Sequence, residues 1–372
     1  MPAPPRLRRR ISRRRHHSHT TAHGNAVRPD PGAVTSTEIK RSLLHPLIAY
    51  LWPPPVGTAW ASTAFKARLA SVITRVLRPL PLYHYAQLPA HLQDNDCILT
   101  GHRAGYDLLD CVRSVAAWHN ETLNIWTHLA GGAAFMACVG AIWRAAVGPD
   151  NTNQISWVLD ADSAVMALYL ATVAVCLLCS TLFHTFHCHE ERRVFDNMAI
   201  ADYTGITTLL FGSFTSLVYF AFRPHPHLLP LPLGVTAAAS LAGVALPWFP
   251  FFRMHKYRAL RTLIFAGLCV AIFASVVWAA VAIVHELASG WTWDWVAGVV
   301  GVVGCYGGGG VIYVTRFPEC LRPGAFDHIG QSHQIWHVLV IGGAYSHWHL
   351  LTELRDWRVA QDVVASMAAA AL

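Results

Sequence analysis

Charged residues are scarce in this chain, and their scarcity excludes an ordinary soluble domain. Only 13% of its 372 residues are Asp, Glu, Lys or Arg, whereas 54% are hydrophobic. Soluble domains carry about 25% charged residues. Fourteen tryptophans and eleven tyrosines fit the same conclusion, because both side chains favour the membrane–water boundary. The composition therefore predicts an integral membrane protein.

Cysteines are few, and they follow no spacing that is typical of a disulfide framework. The chain has nine, an odd number, and most of them lie within apolar runs. We therefore expect buried thiols that pack as small hydrophobic side chains.

The start of the chain lacks acidic residues and has little to bury. Residues 1–45 are rich in arginine and contain no Asp or Glu before Asp30. We expect this segment to be a disordered basic tail that an anionic cytoplasmic leaflet attracts. No apolar core follows the arginines, so we expect no secretory signal peptide, whereas an organelle transit peptide remains an alternative.

A basic amphipathic helix is predicted over residues 59–78. Its apolar side chains fall on one helical face, while three arginines lie off that face. Such a helix can lie on a membrane surface or pack against the rest of the protein, and the sequence leaves both alternatives open. The apolar residues are Phe65, Leu69, Val72, Ile73, Val76 and Leu77.

Long apolar runs fill the remainder of the chain and predict an all-α membrane protein with seven transmembrane helices. These helices would form one domain over 80–356, followed by a short C-terminal tail, 357–372. The fourth run is interrupted by prolines, and the sixth contains four glycines that fit either close packing or a kink. The predicted spans lie near 124–148, 163–187, 199–222, 228–252, 261–285, 291–315 and 333–354.

Lysine and arginine are distributed unequally between the two sides of these spans. Twenty-four of the 28 precede the first span or lie in the 2–3, 4–5 and 6–7 connections, and four lie on the other side. The positive-inside rule therefore predicts a cytosolic N-terminus and a C-terminus outside.

Several ionisable residues lie near the ends of apolar spans, where they require an explanation. His184 and Ser180 lie at the end of span 2, Asp202 at the start of span 3, and His333 and His337 at the start of span 7. Because successive spans alternate in direction, all five lie at the cytosolic level. Three imidazoles from two helices, with a carboxylate beside them, are typical of a zinc site with an open fourth position. The alternative is that these histidines are ordinary residues of the membrane interface.

Other histidines and one cysteine near these positions are weaker candidates. His187 and Cys188 are possible additional ligands, and we expect His189 to lie at the interface. His347 shares a helical face with His333, but 14 residues of helix place it ~21 Å away. It cannot bind the same ion.

Four motifs in the same order resemble the progestin and adipoQ receptor family, which includes the adiponectin receptors, fungal zinc-homeostasis proteins and the more distant hemolysin III-related proteins. The resemblance covers roughly residues 80–350. The motifs are "HNETLNIWTHL" at 119–129, "STLFHTFHCH" at 180–189, "DYTGI" at 202–206 and "SHQIWHVLV" at 332–340.

The resemblance implies a fold of seven helices with a cytosolic N-terminus. It also implies that His184, His333 and His337 bind zinc, and that Asp202, with Ser180 nearby, holds a water on the metal. Activities linked to the family are ceramide hydrolysis, receptor signalling and zinc-dependent lipid homeostasis.

Three functions are consistent with these residues. The first is an intramembrane zinc hydrolase that cleaves a lipid amide such as ceramide, with Asp202 and Ser180 as catalytic residues. The second is a receptor or sensor for a lipid or protein ligand, which can be extracellular, with a purely structural zinc. The third is a zinc or proton transporter, although the ligands crowd one leaflet rather than the midplane. We expect no nucleic-acid partner, and a location in the plasma membrane or an endomembrane.

Overall fold

The computed structural model describes residues 63–147, 160–290 and 292–370. These residues are mainly α-helical, and the described part of the chain contains two isolated β-bridges but no strand. The all-α prediction is confirmed for them, while the predicted tail over 1–45 lies outside the described residues. The chain divides into two compact units, with the boundary after Leu77.

The structure describes eleven α-helices. The first, α1, contains all of the described residues of the first unit. Its fifteen residues, Thr63–Leu77, belong to the amphipathic helix predicted over 59–78, of which residues 59–62 lie outside the described residues. The helices are α1 (Thr63–Leu77), α2 (Leu108–Ser114), α3 (Thr122–Val147), α4 (Ala161–Phe186), α5 (Arg192–Phe222), α6 (Pro230–Ala245), α7 (Arg258–Val281), α8 (Val284–Ser289), α9 (Trp293–Val303), α10 (Gly309–Thr315) and α11 (Ser332–Ala370).

Six helical segments of the second unit are long and apolar enough to cross a membrane, and they match the first six predicted spans. The seventh predicted span lies within α11, which is less apolar and continues through the predicted C-terminal tail to Ala370. At 39 residues, α11 is ~58 Å long. The six segments are Thr122–Ala145, Ala161–Phe186, Arg192–Phe222, Pro226–Trp248, His255–Val281 and Trp293–Thr315.

Prolines and glycines interrupt the regular α-helix where the sequence suggested. The fourth segment changes to 3₁₀ turns at Leu246–Trp248 and Pro250–Arg253, because proline lacks the N–H that an interior turn requires. In the sixth segment, a π-helical turn at Gly304–Gly308 separates α9 from α10. The glycine run therefore supports both an irregular turn and close packing, since a Cβ on Gly309 would lie 2.8 Å from the Trp336 ring.

The start of α11 is fixed by a buried carboxylate. Glu319 is 0% exposed, and it accepts hydrogen bonds from the backbone N–H of Ser332, at 2.7 Å, and from the Ser332 hydroxyl. Asn95 donates a third hydrogen bond to the same carboxylate, at 3.0 Å. A negative charge is favourable at a helix N-terminus, because it faces unsatisfied N–H groups and the positive end of the helix dipole.

The segment before α2 covers the same end of the helix bundle. Asp327 accepts backbone N–H groups from Leu99 and Thr100, at 2.8 and 2.9 Å. The buried Arg103 donates to the carbonyl oxygens of His184 and Thr185, which are among the last carbonyls of α4. These bonds satisfy helix-end carbonyls that have no partner within the helix itself.

The opposite end of the bundle is tied by a second buried arginine. Arg358 of α11 is 0% exposed and donates to the carbonyl oxygens of Phe220, at 3.0 Å, and Ala221 at the end of α5. It also pairs with Glu286, and its guanidinium lies 4.1 Å from the centre of the Trp357 ring. These contacts join α11, α5 and the connection after α7.

The helices α4 and α5 pack closely because small residues lie between them. A Cβ on Gly212 would overlap the Thr172 side chain, and one on Gly205 would lie 3.1 Å from the backbone of Cys176. Small residues at such positions allow two membrane helices to approach each other. This pair of helices carries His184 and Asp202, so their spacing controls the site described below.

We expect Gly212→Ala to destabilise the protein by about 1–3 kcal/mol, because the added methyl group must displace Thr172 from a packed interface. Thermal unfolding in detergent measures this effect. The matched control is Gly234→Ala in α6, where an added Cβ has no atom within 4 Å. Equal melting temperatures for the two variants would contradict the packing argument.

Asp94 predicts a pH-dependent contribution to stability. Burial raises the pKa of Asp94, but the adjacent Arg258 and His255 outweigh this effect and hold the pKa below its usual range. The stabilisation is therefore fully present above the unfolded value near pH 4 and is lost as the pH falls toward the lower folded value. We expect Asp94→Asn to lower the melting temperature at neutral pH, and the difference from wild type to shrink below about pH 4.

Asp96→Asn is the control for this measurement, because Asp96 is 67% exposed in its pair with Arg316. A difference between wild type and Asp94→Asn that stays constant from neutral pH to pH 3 would contradict the assignment.

Candidate metal site

Three histidines from two helices converge at the end of the bundle where α11 begins. His184 projects from the last turn of α4, and His333 and His337 project from the first turns of α11. One ring nitrogen from each lies within 4.8 Å of the others, and the Nε2 atoms of His184 and His333 are 3.2 Å apart. The structure therefore brings together the three side chains that the sequence singled out. Their assignment as zinc ligands stays a prediction.

The helical spacing explains how α11 supplies two of these rings. Residues four apart lie on the same helical face, and the centroids of His333 and His337 are 4.7 Å apart. The ring of His184 lies 4.9 Å from His333 and 4.8 Å from His337. The three rings thus form a nearly equilateral triangle, and none is displaced from the group.

A carboxylate at the start of α3 orients His184. The Nδ1 atom of His184 lies 2.8 Å from Oε2 of Glu121, which also accepts a hydrogen bond of 2.6 Å from the Asn124 side chain. This contact favours a proton on Nδ1 and leaves the lone pair of Nε2 directed at the other histidines. Hydrogen bonding of this kind is typical of histidines that bind metals, because it fixes both the ring and its tautomer.

The backbone of α3 orients His337 in the same way. Its Nδ1 atom lies 3.1 Å from the carbonyl oxygen of Asn124 and 3.5 Å from the Thr127 hydroxyl. Donation from Nδ1 leaves Nε2 of His337 as the free ligand atom. Helix α3 therefore supports both α4 and α11 at the site, although it contributes no histidine to the group of three.

His128 of α3 covers one face of this group. Its ring stacks on His337 with 3.6 Å between centroids and an angle of 8° between planes. His128 is only 3% exposed, and neither of its ring nitrogens has a hydrogen-bond partner among the described residues. The flat contact restricts rotation of His337 and supports its position at the site.

Asp202 and Ser180 lie beside the three histidines. The buried Ser180 side chain interacts with the Asp202 carboxylate, and Asp202 also interacts electrostatically with His184 and Arg261. Asp202 does not belong to the group whose ligand atoms converge. The roles of Asp202 and Ser180 stay predictions.

The weaker candidates make other contacts. His187 directs Nδ1 toward the carbonyl oxygen of His184, at 3.2 Å, and the Cys188 thiol lies 3.7 Å from the Cys111 thiol. His189 is half-buried and accepts the backbone N–H of Glu191. His347 contacts the carbonyl oxygen of Ser213 through Nε2, at 3.1 Å. All nine cysteines lie in described segments and are free thiols, as the sequence indicated, but only Cys111, Cys176 and Cys188 are buried.

Sequence reasoning missed Glu121, Asn124 and His128. All three lie in the first quoted motif, "HNETLNIWTHL", so a signal was present. Nothing in the spacing of that motif shows that α3 packs against the start of α11, and this packing gives the three residues their role.

The donor set can hold a metal ion. Three neutral imidazoles suit zinc and other borderline transition metals, and three protein ligands leave one tetrahedral position open. The oriented Nδ1 atoms of His184 and His337 support this interpretation, because both rings are held with Nε2 free.

Known proteins are similar in sequence to this chain over the region that contains the site. The model of the haemolysin-III related family matches residues 116–348, a range that includes every residue of the site. The chain is 33% identical over 303 residues to heptahelical transmembrane protein 1 of Arabidopsis thaliana, covering 76% of this chain and 84% of the relative. It is also 33% identical to the adiponectin receptor protein of Drosophila melanogaster, covering 74% of this chain and 60% of that relative.

A human relative, progestin and adipoQ receptor family member 3, is 28% identical over 290 residues, which are 74% of this chain and 86% of the relative. These similarities and the six apolar helical segments make the chain an integral, multi-pass membrane protein.

We expect Glu121→Gln to weaken binding of a divalent metal by about 10–100-fold, because the neutral amide stabilises the Nδ1 proton of His184 less than the carboxylate does. Competition with a fluorescent zinc chelator in detergent measures the affinity. Glu190→Gln is the control, since Glu190 is exposed. Equal affinities for the two variants would show that Glu121 does not orient a ligand.

Proposed function

Because the chain belongs to the haemolysin-III related family, which also includes the adiponectin and progestin receptor-like proteins, we propose that it is a zinc-dependent lipid amide hydrolase. In this proposal His184, His333 and His337 bind zinc. The observation that carries it is the position of Asp202, which lies beside the three histidines and outside their converging group. The fourth metal position then remains open to water and substrate.

We also propose that α11 is the seventh membrane span, with the N-terminus in the cytosol. Its start is anchored by Glu319 at the same end as the histidines, and the strong asymmetry of lysine and arginine supports the orientation. The site then lies near the cytosolic leaflet between apolar helices. This position suits a long-chain amide of the ceramide type.

Zinc, when bound, polarises an amide carbonyl and makes water more acidic, so that water attacks near neutral pH. Asp202 accepts the proton of the attacking water as it adds to the carbonyl carbon. Ser180 donates a hydrogen bond to Asp202 and holds the carboxylate in position for this transfer. Asp202 then returns the proton to the amine that leaves, and the products are a fatty acid and a sphingoid amine.

The second candidate function is a receptor in which zinc has only a structural role. Two relatives carry receptor names, the adiponectin receptor protein and progestin and adipoQ receptor family member 3. In this alternative, zinc ties α4 to α11 and no chemistry occurs at Asp202. The two functions differ in what the loss of Asp202 changes.

We expect detergent-purified protein to contain close to one zinc per chain, and His337→Ala to lose it. Asp202→Asn should keep its zinc, because it does not change the three histidines, but should reduce ceramide hydrolysis by at least about 100-fold. Metal analysis and release of the sphingoid amine measure these two effects. His349→Ala is the control on the same helix, since His349 is 43% exposed.

The outcomes separate the candidates. Zinc that is bound without hydrolysis, or hydrolysis that is unaffected by Asp202→Asn, would favour the structural role. A folded wild-type protein without zinc would contradict both.

A further inference from the structure

Helix α1 exposes a continuous apolar face. Apolar residues recur with helical periodicity along its fifteen residues, so the large apolar side chains fall within one half of the helix surface. Isolated exposed apolar residues are common on proteins, but a contiguous row along a helix marks an interaction surface. The exposed fractions are 43% for Leu69, 47% for Ile73, 41% for Val76 and 74% for Leu77.

Positive charge borders this apolar face on both sides. At 100° per residue, Lys66 lies between Ile73 and Leu77 near one border, and Arg68 lies next to Val72 on the other. Both cationic side chains are exposed. The whole segment from residue 63 to residue 93 contains no acidic residue. Ser71 and Thr74 lie on the opposite, polar face.

We propose that α1 binds in the interface of an anionic membrane leaflet, with its apolar face in the lipid and its cations at the headgroups. Cations at the border of an apolar face can extend to lipid phosphates while their methylene stems remain in the apolar layer. Each lysine or arginine near an anionic membrane strengthens binding about fivefold. Charge complementarity favours anionic headgroups as the partner, because residues 63–93 carry cations and no acidic residue.

Chain continuity keeps the membrane within reach of α1. Leu77 is followed directly by Arg78, the first residue of the unit that contains the apolar spans. A helix tethered to a membrane protein meets the bilayer at a high effective concentration, so that even weak interfacial binding is sustained. This inference does not depend on the metal site or on any hydrolysis, and it concerns a segment that the proposed function does not use.

The test places a nitroxide on full-length protein in lipid nanodiscs, on the apolar face at Leu69 or on the polar face at Ser71. The label is attached through a non-natural amino acid, because Cys97 and Cys320 are not buried. In discs that contain phosphatidylserine, we expect the Leu69 label to collide more with oxygen and less with a water-soluble nickel chelate than the Ser71 label does. In discs of phosphatidylcholine alone, or at high salt, this difference should be lost.

Matched substitutions to glutamine separate charge from apolar contact. Lys66→Gln and Arg68→Gln should each reduce immersion about fivefold in anionic discs. Ile73→Gln should also reduce it, whereas Thr74→Gln on the polar face should leave it unchanged. A second pair of labels, at Val76 and Thr74, repeats the comparison so that disturbance by one label does not decide the result.

Three results would overturn the proposal. Access of nickel to both labels would place α1 in water. Protection of the Leu69 label from both oxygen and nickel would place its apolar face against protein. Equal immersion in neutral and anionic discs, unaffected by the glutamine variants, would exclude recognition of anionic lipid.

Discussion

The carboxylate of Glu319 is the constraint on which the position of the last helix depends. It is fully buried, and it holds the backbone and side chain of Ser332, one residue before His333. Glu319 has no cationic partner among the described residues, so its buried charge depends on hydrogen-bond donors, which the N-terminus of α11 and Asn95 supply. The register of α11, and therefore the depth of His333 and His337, follows from this contact.

The site also illustrates how one helix can orient histidines that it does not carry. Helix α3 provides Glu121 to His184, the carbonyl oxygen of Asn124 to His337, and the stacked ring of His128. A buried imidazole nitrogen without a hydrogen-bond partner is costly. By satisfying Nδ1 in two rings, α3 leaves both Nε2 atoms free for a common ligand.

The sequence predicted the three histidines of the site, but not the residues that surround them. The alternating direction of the apolar spans was sufficient to bring His184 and His333 to one level. The four-residue spacing was sufficient to place His333 and His337 on one helical face. The role of Glu121 could not be predicted, because it depends on how α3 is rotated about its axis. The glycines at 307–310 left packing and kinking as alternatives, and the structure shows a π-helical turn at Gly304–Gly308 and close packing of Gly309 on Trp336, a residue of another helix that the local sequence does not specify.

Arg358 has a mechanical consequence for the same helix. It holds α11 to the carbonyl oxygens of Phe220 and Ala221, while Glu319 holds the start of α11 some 26 residues earlier, ~39 Å away. A helix held near both ends cannot shift along its axis without breaking the contacts of Glu319 or those of Arg358. Because Glu319 and Arg358 lie near opposite ends of α11, the two attachments together fix the depth at which His333 and His337 lie.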